Sequence, residues 1–178
     1  MSHDFSNHTV AFATPWITIF EKDRWYALTS SSGVFGGGGI IMDSNHDIIL
    51  VEIYRHPINK TVLEIPRGAA DPEEGSLGSA LREMTEETGI DISGAKIIDL
   101  GIVHPDDGIL AYENRLCAAI LPHPFGKVSV DEAEVQGYRI MSLPHLRDLV
   151  LAGEVNDSHT IVALLRLEAK LADGSLDQ

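Results

Sequence analysis

Short apolar runs separated by Gly, Pro, Asn and Asp clusters fill the first two-thirds of the chain, a pattern that predicts β-strands joined by turns. The predicted strands are Trp16–Phe20, Trp25–Leu28, Ile40–Met42, Ile48–Tyr54, Thr61–Ile65, Lys96–Val103, Leu116–Leu121 and Val135–Met141. The period then lengthens towards the C-terminus. Ser142 is placed to cap a helix over Leu143–Leu151 that ends at Gly153, and Asp157 or Ser158 to cap a second over Thr160–Leu171 that ends near Gly174. A third helix is expected over Ser76–Glu87, stopped by Gly89 in left-handed geometry. At 100° per residue, Glu83, Glu86 and Glu87 share one stripe of it. Leu77, Leu81, Met84 and Thr88 fall roughly 140° away and offer an apolar face. With no internal repeat and no linker-like tract, residues 1–178 read as a single domain.

Composition narrows the class. With 178 residues, 44% hydrophobic and 22% charged, the chain can build an ordinary core without disulfide or metal staples. Its net charge of −14 argues against nucleic acid as a partner, because phosphate-backbone affinity comes from Lys and Arg displacing counterions. The N-terminus has no basic-then-apolar leader pattern, and no run approaches ~18 apolar residues, so a cytoplasmic protein with no membrane partner is expected. The single cysteine, Cys117, lies in an apolar run and reads as a buried small hydrophobe. Gly36–Gly39 precedes a strand and not a helix, so its expected role is conformational, a bulge or a close backbone approach, and not phosphate binding. The eight histidines include no helical i, i+4 pair, which leaves no basis for a His-ligated zinc site.

The chemistry concentrates in residues 68–90, GAADPEEGSLGSALREMTEETGI, where six acids and one base supply five of the fourteen net negative charges. Like charges at i, i+4 repel, so the glutamate stripe needs compensation. Arg82 offers part of it, and a hard divalent cation meeting substrate phosphates would offer the rest. The spacing of Gly68, Glu74, Arg82-Glu83-Met84, Glu86-Glu87 and Gly89-Ile90 matches every fixed position of the Nudix box, G-x5-E-x7-R-E-U-x-E-E-x-G-U. Seven fixed residues at about 7% usage each match by chance on the order of once in a million chains of this length. The chain therefore resembles the Nudix hydrolases, which cleave nucleoside diphosphates linked to another moiety.

That resemblance implies an α/β Nudix fold: an α/β/α sandwich around a mixed β-sheet. It implies Mg²⁺, with Mn²⁺ as an alternative, held by Glu83, Glu86 and Glu87 together with the backbone carbonyl of Arg67. Arg82 would orient the glutamates and Glu74 would belong to the same network. Outside the box the chain is similar to the ADP-ribose pyrophosphatase branch. Tyr54-Arg55 followed by Leu63-Glu64-Ile65-Pro66 resembles that branch's YR…LEIPAG approach, which implies Arg55 as a contact to the substrate diphosphate. Pro105 stands close to a downstream proline associated with ADP-ribose enzymes, and Glu113 matches a glutamate that follows it. Asp131-Glu132-Ala133-Glu134 resembles the branch's acidic loop, which implies Glu132, then Glu134, as the general base, with Glu87 in the catalytic set. Thr14-Pro15-Trp16 stands where branch members carry an aromatic near the nucleotide, so Trp16 is a candidate for base stacking. The Asp157…Thr160…Ala163-Leu164 ending matches a packing feature. The implied activity is hydrolysis of a nucleoside diphosphate sugar, ADP-ribose first, giving AMP and ribose 5-phosphate. GDP-mannose, ADP-glucose or another diphosphate derivative is the alternative, and a non-catalytic nucleotide-sugar sensor is the alternative of a different class. The substrate is a small molecule, and a homodimer assisted by residues 1–35 is expected.

Overall fold

Two consecutive apolar runs, Gly37–Met42 and Asp47–Arg55, turn side chains alternately to both faces of one sheet, and both faces are covered. The computed structural model describes residues 4–31, 35–71, 73–130 and 134–174. The described chain runs β1 (Thr9–Ala13), β2 (Ile17–Lys22), β3 (Trp25–Ser30), β4 (Gly37–Met42), β5 (Asp47–Arg55), a 3-10 turn at His56–Ile58, β6 (Lys60–Glu64), β7 (Arg67–Gly68), α1 (Gly75–Thr88), β8 (Lys96–Val103), β9 (Asn114–Ile120), β10 (Val135–Ser142), α2 (Leu143–Leu151) and α3 (Ser158–Ala172). Strands β1, β2 and β3 form an antiparallel sheet of their own. The main sheet has the order β10-β5-β4-β9-β8, with β6 on β5 and β7 on β4. Its β4–β9 pair is parallel and its other pairs are antiparallel, so the expected mixed α/β/α sandwich is present.

On one face Ile40, Met42, Ile48, Leu50, Leu116 and Ala118 pack with Leu143 and Leu146 of α2 and Ala163, Leu164 and Leu167 of α3. On the other, Ile41, Ile49, Cys117 and Ala119 pack with Ala80 and Met84 of α1. Full burial of each large aliphatic side chain contributes roughly 1.5–3 kcal/mol. Cys117 is fully buried, and burial pushes its thiol up to about 12, as its apolar setting predicts.

The glycine run explains how α1 lies so close to the sheet. A Cβ on Gly37 would collide with Ser76 O and stand 2.9 Å from Ala80 Cβ, and one on Gly39 would stand 2.9 Å from Met84 Sδ. This corrects the predicted helix face. The stripe that packs on β4 runs through Ala80 and Met84, while Leu77 is exposed, because only small residues fit where helix and strand backbones nearly touch. Glu87 lies about 20° from Ala80 around the helix, so it shares the buried stripe and does not point to solvent with Glu86. Gly89, at φ 66°, closes α1 in the expected left-handed turn.

Candidate functional site

α1 ends over the β4–β7 edge, and there it carries the acidic residues to the wall of a cavity of about 790 Å³. Arg67 and Gly68 form β7 opposite Gly38 and Gly37, which draws the segment before the box against the helix. Arg67 N–H donates to Glu87 Oε2 at 3.2 Å. A Cβ on Gly68 would fall on the Glu83 carboxylate, so the first box glycine is the residue that lets Glu83 lie across this segment.

Arg82 gathers the other acids. Its Nε donates to Glu74 Oε1 at 3.0 Å, one terminal nitrogen donates to Glu83 Oε1 at 2.8 Å and Glu86 Oε2 at 2.6 Å, and the other donates to Ala69 O at 2.9 Å. Hydrogen bonds donated to its carboxylate neighbours, Glu74 first, raise the guanidinium further above its ordinary range. Glu87 has no cation of this kind. Burial, reinforced by Glu83 and Glu64, pushes its carboxyl up to about 8, against the Arg67 N–H and the charge on Arg55. A buried carboxylate left at this disadvantage, with hard oxygen donors around it, fits a divalent cation. Among the described residues no three of these carboxylates already converge as a ligand set, because Glu83 and Glu86 are turned onto Arg82.

The part of the lining that Arg55 and Arg67 supply is built differently. Glu64, 1% exposed, accepts from Arg55 Nε at 3.2 Å and from an Arg55 terminal nitrogen. Arg67 reaches both Glu64 at 3.3 Å and Asp157 at 3.4 Å. Asp157 caps α3, accepting from Thr160 N at 2.9 Å and Thr160 Oγ1 at 2.8 Å. Burial alone would raise the Asp157 carboxyl, but the neighbouring His159, Arg67 and the Thr160 N–H together hold it well below the usual carboxylate range. The Asp157…Thr160 pattern is thus a packing feature, as expected, and also the anchor of a cavity side chain.

The cavity brings together Trp16, Arg55, Arg67, Glu83, Glu86, Glu87 and Glu134 of the sequence-derived set. Trp16, 81% exposed, precedes β2 in a turn fixed by Thr14 Oγ1, which accepts from Trp16 N at 3.2 Å and Ile17 N at 3.0 Å. Glu113 is half-buried and does not line the cavity; its neighbours Tyr112 and Asn114 do. Glu132 lies outside the described residues, as does Asp131. Phe35, Tyr112, Asn114 and the Glu64–Asp157 carboxylates were missed from sequence. An acid between Leu63 and Ile65 in an apolar strand was the one readable signal among them.

A family model for the NUDIX domain matches residues 36–165. The chain belongs to the Nudix family. Nudix hydrolases act on small molecules and generally use divalent metal ions such as Mg²⁺. A protein described as a methanol dehydrogenase activator from Bacillus methanolicus is 27% identical over 136 residues, 75% of this chain and 71% of that protein. An ADP-ribose pyrophosphatase from Bacillus subtilis is 29% identical over 129 residues, 70% of this chain and 67% of that enzyme. A putative nudix hydrolase 2 from Caenorhabditis elegans is 39% identical over 62 residues, 35% of this Nudix chain and 27% of that protein. Among the described residues no helix is long and apolar enough to cross a membrane.

Proposed function

We propose that this Nudix chain, acting as one domain, hydrolyses the diphosphate bond of a nucleoside diphosphate sugar, with ADP-ribose as first choice and AMP and ribose 5-phosphate as products. The observation that carries this is the cavity itself, whose lining holds both the box glutamates and Arg55. Glu83, Glu86, Glu87 and the Arg67 carbonyl would hold Mg²⁺ or Mn²⁺. When bound, the metal supplies charge neutralisation for the diphosphate and a more acidic water. Arg82 holds Glu83 and Glu86, which would release it to ligate a metal, and the Arg67 N–H holds Glu87 in place. Arg55, oriented by Glu64, holds a phosphate oxygen through the planar fork that lysine lacks. Water attacks one phosphorus, the bridging P–O bond breaks, and the water proton passes to Glu134 or Glu132. Glu134 stands in the cavity wall, and Glu132 is the other candidate. Trp16 would cover the base, and Glu113 would act from beside the site.

The similarity to the Bacillus subtilis ADP-ribose pyrophosphatase supports the substrate choice. GDP-mannose, ADP-glucose and dinucleoside diphosphates are the rival substrates in the same reaction class. Incubation with Mg²⁺ and ADP-ribose, GDP-mannose, ADP-glucose, NADH and diadenosine polyphosphates, followed by chromatography of products, separates these. Turnover of NADH or GDP-mannose well above ADP-ribose replaces the first choice. No turnover of any compound, with Glu87→Gln binding Mn²⁺ as well as wild type, overturns the enzyme reading. The exposed Val10, Phe12, Trp25 and Tyr26 of the β1–β3 sheet support a homodimer through that sheet, which light scattering tests.

A further inference from the structure

Asn114, the first residue of β9, lines the cavity but has no part in the hydrolysis described above. Its amide nitrogen lies 2.7 Å from Nε2 of His159, a buried residue at the start of α3. The amide N–H donates there, so Nε2 is the bare nitrogen of the ring and Nδ1 carries the proton. That Nδ1 faces Asp157 Oδ1 at 3.6 Å, the same carboxylate oxygen that Arg67 approaches. The opposite amide orientation would need a proton on Nε2, whereas the observed one sets the amide nitrogen at Nε2 and leaves the Nδ1 proton towards the Asp157 carboxylate. The network therefore fixes the polarity of Asn114. Its Oδ1 is an acceptor, 3.2 Å from where a Cβ on Gly36 would begin, and Gly36 also lines the cavity. The neighbouring cations, Arg55 and Arg67, can only donate, and they suit phosphate oxygens. An oriented neutral acceptor among them suits a hydroxyl proton.

We propose that Asn114 Oδ1 accepts a hydrogen bond from a ribose hydroxyl of the substrate, and that His159, backed by Asp157, is the positioning residue that holds the amide in that orientation. This deepens the nucleoside diphosphate sugar reading and rests on it.

The test compares ADP-ribose with two analogues, one lacking the 2-hydroxyl of the adenosine ribose and one lacking that of the terminal ribose. Asn114→Ala is expected to raise KM for ADP-ribose by about 10-fold with kcat nearly unchanged, and to leave one analogue unaffected, since the hydroxyl it would lose is already absent. His159→Phe is expected to raise KM in the same way, and Asn114→Ala added to it should cost nothing more. His159→Gln, which offers an acceptor in place of Nε2, should restore part of the affinity and serves if the Phe variant melts early. Equal penalties on ADP-ribose and both analogues, or multiplying effects of the two substitutions, would overturn the proposal. A wild-type protein that turns over none of the three compounds would instead overturn the hydrolase reading, so the two failures are distinguishable.

Discussion

The two walls of the cavity solve the problem of buried charge in opposite ways. On the box wall, Glu74, Glu83 and Glu86 share one guanidinium, Arg82, and Glu87, more buried than any of them and outside that cluster, is pushed up to about 8. Behind the wall that Arg55 and Arg67 line, Glu64 and Asp157 are as deeply buried but are met by those two cations, and Asp157 is driven down instead of up. A wall with surplus carboxylate is incomplete without a cation from outside. A wall whose carboxylates already own their cations can orient them towards an anion. The same residue types thus meet burial in two ways, and the opposite shifts of Glu87 and Asp157 mark the difference that the proposed metal and phosphate roles would use.

Substitutions can break this contrast. Glu87→Gln should lower kcat by roughly 10³-fold, the several kcal/mol a ligated metal supplies, while the metal-free protein melts no earlier, because the lost charge was unfavourable in place. Steady-state kinetics beside thermal melts check it, and a variant that melts early with full turnover would make Glu87 a packing residue. For the loop, either Glu132→Gln or Glu134→Gln should cost roughly 10²-fold or more in kcat, and the larger loss identifies the base. A loss below ~10-fold in both would move the base elsewhere. Glu64→Gln should act chiefly on stability, by about 3 kcal/mol in urea unfolding, since it strips two guanidinium groups of their shared partner.

The smallest effect separates the walls by pH. Glu87, raised from an ordinary 4.5 to about 8, stabilises the metal-free fold fully only below 4.5, and that contribution is lost as pH rises through 8. Unfolding free energy of the metal-free protein should therefore fall across this window by about 2 kcal/mol after allowance for solvent screening, a fall that Mg²⁺ or Glu87→Gln removes. Asp157, lowered, contributes stability above its ordinary 3.8 that is lost as the pH falls below it, and Asp157→Asn should flatten that acid limb. A metal-free protein whose stability rises from pH 5 to 9 would contradict the first half of the comparison.

Much of this was readable along the chain because it is local. α2 has the bounds that Ser142 and Gly153 announce, and Asp157 is the one of two candidate caps that caps α3. The box spacing located Glu83, Glu86, Glu87 and the Arg82–Glu74 contact. What escaped depends on contacts distant in sequence. The amphipathic reading of α1 chose Leu77 over Ala80, since only the approach of Gly37 and Gly39 reveals that the buried stripe must be narrow. β1 carries exposed Val10 and Phe12 with no clean alternation to mark it as a strand. Asn114 and His159 meet through the packing of α3 against β9, and neither carries a motif of its own.

The parallel pairing of β4 with β9 sets Gly37 beside Arg115, with the entire box between them in the chain. Closing a loop of that span costs entropy before any contact rewards it, so this pairing is expected late on the folding path. Helix α1 can coil early, yet Arg67, Glu87 and Asn114 share a cavity only once that loop has closed. Metal affinity then doubles as a clock: in a refolding experiment, Mn²⁺ capture should follow the appearance of helix and coincide with the last step to the native state.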